Sequence, residues 1–545
     1  MRHRLIAAIL LATPTAVLSQ GGGSRQPDLT AVVDRVFASW NSTTSPGCAV
    51  GVAREGKVLV TRGYGMADLE TGRPITPETI FETGSVAKQF TATAVVLLAL
   101  DGKLGLDDPV RQYVPELPDY GQPLTIRHLL THTSGLREWS GLVELQGWPR
   151  GSRVHRQADL LDVVTRQRAL NHRPGEFYSY TNSGYGLLFT IVERVSGQPF
   201  ARFTTERIFT PLGMSHTRWR DDFTRVTQGR AQAYSREADG WHLDMPFENV
   251  VGPGGLLSTV GDLLIWNEAL SNRTPPLSAA VVDSLSRRPR LAGAGSRGRE
   301  SQYALGLTFT SRRGVPEVSH GGATAGYRTF LTRYPTQGNL SIAVMCNAGT
   351  ANGNAYVNAI ADSLIADFPG RGLDTTAVDS ARFSRYLGVY RQQRTHGALV
   401  VSRQSARQTR ALPDGSLYLL SGSRVLRDTA PGARGLRIIE ADQDTLRYEY
   451  VGEQPWTPTA AELAPFVGSY RSEELGVTYR VALAGDTLTV SPRPGAVRRF
   501  RPVYPDAFTG DGVVWFERDR RGRVIALHFG QARVWDLVAT RTSAP

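Results

Sequence analysis

The apolar run within ETGSVAKQFTATAVVLLALDGKL, residues 82–104, is the strongest constraint on what this chain folds into. It has helical length and puts apolar or small residues on almost every face of a helix, so it needs protein all around it. Asp101-Gly102 stops it. It is shorter than the roughly 20 residues that span a bilayer, which leaves the middle of a sizeable core as its place.

The rest of the chain can supply that core, since 545 residues allow two or three domains of about 100–200 residues each. Pro46–Gly65, PGCAVGVAREGKVLVTRGYG, reads as two strands around a Glu55-Gly56 turn. From Thr125 to Leu270 the spacing is helical and loop-rich, with Ser258-Thr259 as a cap before GDLLIWNEAL. VPEVSHGG, GYRTFLTRYP and LSIAVMCNAG then read as three strands. Strands at both ends with helices between imply one α/β domain over 28–372 whose sheet joins its first and last thirds. Beyond Leu373 the chain turns to strand-like runs rich in arginine and turn residues, and Tyr386–Arg391 (YLGVYR) recurs as Phe466–Arg471 (FVGSYR) at an offset of 80 residues. Two tandem β domains follow, 379–455 and 460–545, separated at QPWTPTA; one larger barrel is the alternative.

Charge narrows the partners. The formal net charge is +12, and nearly all the positive charge is arginine, because lysine occurs only at 57, 88 and 103. The arginines are dispersed, which argues against nucleic acid; weak attraction to anionic cell-envelope polymers or a merely soluble basic surface both fit. Arg2 and Arg4, the apolar Leu5–Ala12 and the small-residue exit Val17-Leu18-Ser19 read as a secretory signal over 1–19. The expected location is therefore periplasmic or extracellular, with no membrane span after signal removal. Cys48 and Cys346 lie in strand-like runs far apart, and a disulfide and two buried thiols both fit.

Ser85 turns the packing feature into a chemical one. It stands three residues before Lys88, on one helix face and one turn away. A helix start leaves N–H groups unpaired and adds positive partial charge, which favours an anion forming beside Ser85. That field and the apolar surroundings disfavour an ammonium, so Lys88 reads as a neutral amine able to take the serine proton. A guanidinium could not. Alone, S-x-x-K is equally the start of a helix with a solvated lysine.

Two further motifs join it. Tyr180-Thr181-Asn182, read as a loop after the Pro174-Gly175 turn, offers a phenol to pass a proton and an amide to hold a carbonyl. His320-Gly321-Gly322 stands on a strand where paired glycines permit close backbone approach, followed by the amide of Ala323; a bulge is the plain alternative. Competing motifs are poor: AGAGSRG around Ser296 has Ala294 where a G-x-S-x-G elbow needs glycine. His128 and His132 have metal-like spacing, but no acidic partner stands nearby in the sequence, so no metal and no cofactor is expected.

In order and content, SVAK (Ser85–Lys88), Tyr180-Thr181-Asn182 and His320-Gly321-Gly322 resemble the serine β-lactamase-like hydrolases, which include penicillin-binding DD-peptidases, class C β-lactamases, D-aminopeptidases and related esterases. The resemblance runs from about Asp34 to Asn347 and includes LDDPVRQYVPELP, HLLTHTSGL and GPGGLLSTVGDLLIW. It implies an α/β (α+β) β-lactamase/transpeptidase-like domain with a central antiparallel sheet flanked by helices, followed here by all-β domains, small lipocalin-like barrels. It implies Ser85 as the acylated nucleophile, Lys88 as its proton partner and Tyr180 as proton shuttle. Asn182, His320, Gly321 and Gly322 would bind substrate, and the amides of Ser85 and Ala323 would form the oxyanion hole. The first and last strands are neighbours in that fold, which implies a Cys48–Cys346 disulfide. Where many penicillin-recognising members have lysine, this chain has His320, largely neutral near pH 7, which weakens the fixed charge for a substrate carboxylate. The expected function is an exported serine hydrolase acting on small peptides of D-amino-acid or cell-wall type. Carboxylesterase, β-lactamase and non-catalytic envelope binding are the alternatives.

Overall fold

The computed structural model describes residues 28–293, 298–365, 367–370, 373–420, 422–427, 434–440 and 444–542. The expected signal segment and Ser296 lie outside the described residues. In chain order, the elements that position the site are α1 (Leu29–Val36), β1 (Cys48–Arg54), β2 (Lys57–Tyr64), α2 (Lys88–Leu100) and α3 (Trp139–Leu145). They continue with α4 (Asn182–Ser196), α5 (Val260–Asn272), β3 (Thr308–Arg312), β4 (Val315–Thr324), β5 (Tyr327–Tyr334), β6 (Leu340–Cys346) and α6 (Gly353–Leu364). The six strands form one antiparallel sheet in the order β3-β4-β5-β6-β1-β2, so the first strand of the chain pairs with the last of this domain.

Alternation along β1 explains how the sheet is covered. Cys48, Val50 and Val52 join a buried cluster with Val33 of α1 and Val357 and Ile360 of α6. Ala49 and Ala53 face the other way, into the main core. That second face is lined by small residues because α5 lies close: a Cβ on Gly51 would come within 2.9 Å of Leu264. Cys48 pairs in register with Cys346 of β6 and is disulfide-bonded to it, on the α1/α6 side of the sheet.

α2 runs through the main core, and every residue from Lys88 to Leu98 is buried. Phe90 packs on Trp266 of α5 with ring centroids 4.1 Å apart, while the Trp266 indole N–H donates to Gln89. Burying polar Gln89 is thus compensated locally.

The C-terminal part is all-β. Residues 376–452 contribute eight strands to one sheet, which includes β7 (Gly388–Gln392) and shows no hydrogen-bonded closure among the described residues. From β8 (Gly468–Ser472) onward, eight strands close into a barrel that ends with β9 (Val524–Gln531) and β10 (Val534–Arg541). The sequence repeat has a structural counterpart. Gly388 and Gly468 open β7 and β8 at φ +139° and +153°. Two residues on, the Tyr390 hydroxyl donates to the Tyr386 carbonyl at 2.9 Å and the Tyr470 hydroxyl to the Phe466 carbonyl at 2.8 Å. Each repeat therefore builds the same corner at the entrance to its first strand.

Candidate active site

Ser85 sits in a 3-10 turn, Gly84–Ala87, that feeds directly into α2, so Lys88 opens the α-helix one turn after it. The amine of Lys88 has three neighbours: Ser85 Oγ at 3.0 Å, Asn182 Oδ1 at 2.8 Å and the Pro253 carbonyl at 2.8 Å. The last two are acceptors only. A neutral amine has two N–H groups for them and one lone pair left, facing Ser85. Lys88 is fully buried. Burial pushes its pKa well below the usual lysine value, the charge of Glu138 opposes this, and the charge of Arg533 reinforces it.

Asn182 is the first residue of α4, not a loop residue as its sequence context suggests, and Thr181 is the N-cap. The orientation of its amide is fixed by Glu138, because a carboxylate can only accept. Glu138 Oε1 accepts from Asn182 Nδ2 at 3.2 Å, and Oε2 accepts from the Asn182 N–H at 2.6 Å and from Thr181 Oγ1 at 3.1 Å. This leaves Asn182 Oδ1 for Lys88. One buried carboxylate thus caps α4 and aligns the Lys88–Asn182 pair.

Tyr180 lies across the amine, with Lys88 Nζ 4.8 Å from its ring centroid. Burial raises its phenol, while a hydrogen bond to Ser85 and then the charge of Arg533 draw it down. Its ring is held by His132, 4.1 Å away between centroids. His132 accepts from the Thr181 N–H at 3.3 Å and is kept neutral chiefly by burial, with the charge of Lys88 next in effect. His128 accepts from Thr125 at 3.2 Å. Both histidines of the metal-like pair thus have local structural partners.

β4 forms the opposite wall. It pairs with β3 only as far as Ser319, then runs on beside β5, leaving Gly321–Thr324 with one open edge beside Ser85. The fit is flush: a Cβ on Gly322 would lie 1.9 Å from the Thr83 carbonyl and 3.2 Å from the Ser85 nitrogen. A Cβ on Gly84 would lie 2.6 Å from the Ala323 nitrogen. Glycine is required on both sides of this contact, which brings the amides of Ser85 and Ala323 to one end of the cleft. His320 is buried, its Nδ1 is 2.6 Å from the Gly321 carbonyl and its Nε2 2.9 Å from the Tyr303 hydroxyl. With Nδ1–H donating, Nε2 accepts from Tyr303, and both nitrogens are occupied. Burial first, then the charge of Lys88, lowers its pKa to about 4. His320 therefore borders the cleft without a free polar atom to offer it.

The cleft is about 970 Å³ and is lined by Ser85, Tyr180, Asn182, Gly321–Ala323, the chain entering α6 and Arg533. Sequence reasoning missed Glu138 and Arg533. Glu138 follows directly on HLLTHTSGLR, so an acid next to a histidine-rich stretch was a usable signal. Arg533 is one of many dispersed arginines and carried none.

The Beta-lactamase family model matches residues 32–367. Over 515 residues the chain is 27% identical to a D-aminopeptidase of Cereibacter sphaeroides (strain KD131 / KCTC 12085), covering 91% of this chain and 92% of that protein. It is 29% identical over 367 residues to a penicillin-binding protein of Bacillus subtilis (strain 168), covering 62% and 78%. Among solved structures, the octameric penicillin-binding protein homologue from Pyrococcus abyssi superposes with a TM-score of 0.53 at 20% identity, over 94% of this chain and 99% of that one. With more than half its length matched, and a serine–lysine pair lodged between a helical region and an antiparallel sheet, this chain belongs to the Beta-lactamase family of serine hydrolases.

Proposed function

We propose that this protein is an exported peptidase that forms an acyl-enzyme on Ser85 and hydrolyses amide bonds of small peptides of D-amino-acid or cell-wall type. The observation that carries this reading is the geometry around Lys88: two acceptors lie 2.8 Å from its amine and Ser85 Oγ lies 3.0 Å away on the third side, where a neutral amine would direct its lone pair. Lys88 takes the Ser85 proton as Oγ bonds to the scissile carbonyl carbon, and the carbonyl oxygen becomes an oxyanion facing the Ser85 and Ala323 amides. Tyr180 relays a proton to the leaving nitrogen as the C–N bond breaks. Water then attacks the ester, gives up a proton through Tyr180 and Lys88, and Ser85 recovers its own. Asn182 holds the amine in line and offers its amide to substrate.

The relatives support the peptide assignment, since several of them are D-aminopeptidases. Among the described residues no helix is long and apolar enough to cross a membrane. The test is hydrolysis of paired D- and L-alanine amides and of D-alanyl dipeptides by wild type and Ser85→Ala. Ser85-dependent turnover with D preference is expected. Ester turnover without amide turnover would replace the peptidase reading with a carboxylesterase.

A further inference from the structure

Arg533 comes from the far end of the chain. β9 and β10 pair at Gln531 and Val534, leaving Ala532 and Arg533 as a two-residue hairpin turn on the rim of the barrel. That turn is clamped to the N-terminal domain through its backbone. The Arg533 carbonyl accepts from the Glu138 N–H at 3.1 Å and from Asn171 Nδ2 at 3.0 Å, and the Trp535 N–H donates to Asn171 Oδ1 at 2.9 Å. Arg137 adds hydrogen bonds to Glu474 and to the Asp536 carbonyl. With both sides of the turn held, the guanidinium extends over Tyr180, 4.8 Å from its ring centroid, and lines the cleft with Ser85.

We propose that Arg533 is the specificity residue of this cleft, binding a carboxylate that the substrate carries next to its scissile bond. This rests on the Ser85 hydrolase reading above. Three observations carry it. Arg533 is solvent-exposed in the cleft and has no carboxylate partner among the described residues, although many of the chain's other arginines are paired. Among the described residues the cleft is lined by two arginines, Arg533 and Arg328, and by no aspartate or glutamate. Arg328 Nη1 is already committed to the Ala325 and Tyr327 carbonyls at 2.7 Å each. Glu248 lines an adjoining cavity of about 90 Å³ that meets this cleft at Ser85, Asn182 and Ala323 and is not lined by Arg533, and burial raises its carboxyl beside Arg220. The strand position expected to supply a fixed cation holds neutral His320 with both nitrogens bound. The cation that lies over Tyr180 enters from the barrel, as a fork suited to bidentate contact with a carboxylate. The barrel is thereby part of the substrate site.

Two pairs of esters test this and locate the carboxylate. 3-Acetoxybenzoate and its methyl ester differ in charge on the leaving group; 4-nitrophenyl hydrogen succinate and 4-nitrophenyl butyrate differ in charge on the acyl group. The readout is the anionic-to-neutral ratio of kcat/KM in wild type, Arg533→Gln and Arg533→Lys. The ratio is expected to fall at least about tenfold in Arg533→Gln for one pair, mainly through KM, with Arg533→Lys recovering part of it. The responding pair identifies the side that carries the carboxylate. Ratios within about twofold of wild type in both pairs, with Ser85 still labelled by a neutral fluorophosphonate, would overturn the proposal. Absence of that label in wild type would instead overturn the hydrolase reading, and the role of Arg533 with it.

Discussion

Replacing Glu138 by glutamine separates its two effects on the site. The carboxylate accepts from the Asn182 N–H and Thr181 Oγ1 through one oxygen and from Asn182 Nδ2 through the other. An amide of the same shape keeps one acceptor oxygen, so one side must turn N–H groups toward donors. With the amide oxygen kept toward the Asn182 N–H and Thr181 Oγ1, Asn182 Nδ2 loses its acceptor while the Ser140 hydroxyl, which also donates to Glu138, can turn to accept, so the domain is expected to lose about 1–3 kcal/mol, measurable by urea unfolding. The Asn182 amide loses its alignment, and a misplacement of about 1 Å at a reacting group corresponds to roughly a hundredfold in kcat/KM. The pH dependence carries the sharper sign. Glu138 raises the Lys88 pKa by its charge, against burial, which lowers it. Removing that charge lowers the Lys88 pKa further, so the acid limb of kcat/KM moves to lower pH even as the rate falls. An acid limb that stays in place or moves up, measured with a neutral ester on folded Glu138→Gln, would refute Lys88 as the base coupled to Glu138.

Three further outcomes follow from the same geometry. Gly322→Ala puts a methyl 1.9 Å from the Thr83 carbonyl, so β4 must move off Ser85, and kcat should fall about a hundredfold or more with the fold retained by circular dichroism. His320 has a folded pKa of about 4; between there and its unfolded value near 6.5 the unfolded chain binds more protons, so stability rises with pH across that window and is lost as pH falls. The contribution is about 3 kcal/mol, and His320→Gln should make the urea-stability profile shallower between those pH values, with the parallel contributions of other buried histidines, His128, His132 and His172 among them, remaining. The Cys48–Cys346 bond closes 298 residues, so Cys48→Ser should cost roughly 2–5 kcal/mol. Native protein should titrate with no free thiol and reduced, denatured protein with two; equal free-thiol counts with and without reductant would contradict the bond.

What was legible in the sequence was local. The apolar run after Lys88, the Glu55-Gly56 hairpin and the Thr259 cap all express periodicity or turn chemistry within a few residues, and the structure contains each. The nearness of β1 to β6 came from family resemblance, since no spacing rule links strands 298 residues apart. Asn182 was misplaced on a loop because the carboxylate that completes its helix cap belongs to Glu138, 44 residues away. Arg533 was invisible for the same reason on a larger scale: its carbonyl meets Asn171 across 362 residues. The short repeat did not show that the strands over 468–541 close into a barrel while the sheet over 376–452 leaves its two end strands unpaired with each other among the described residues, because closure depends on strand stagger around the whole sheet.

The most direct measurement is the intact mass of the folded, full-length protein after reaction with a neutral fluorophosphonate, beside Ser85→Ala and Lys88→Met. One stoichiometric adduct mapped to Ser85, absent in Ser85→Ala and formed far more slowly in Lys88→Met, is expected if the buried amine activates the serine. An adduct that persists in Ser85→Ala, or none at all in folded wild type, would contradict Ser85 as the nucleophile of this cleft.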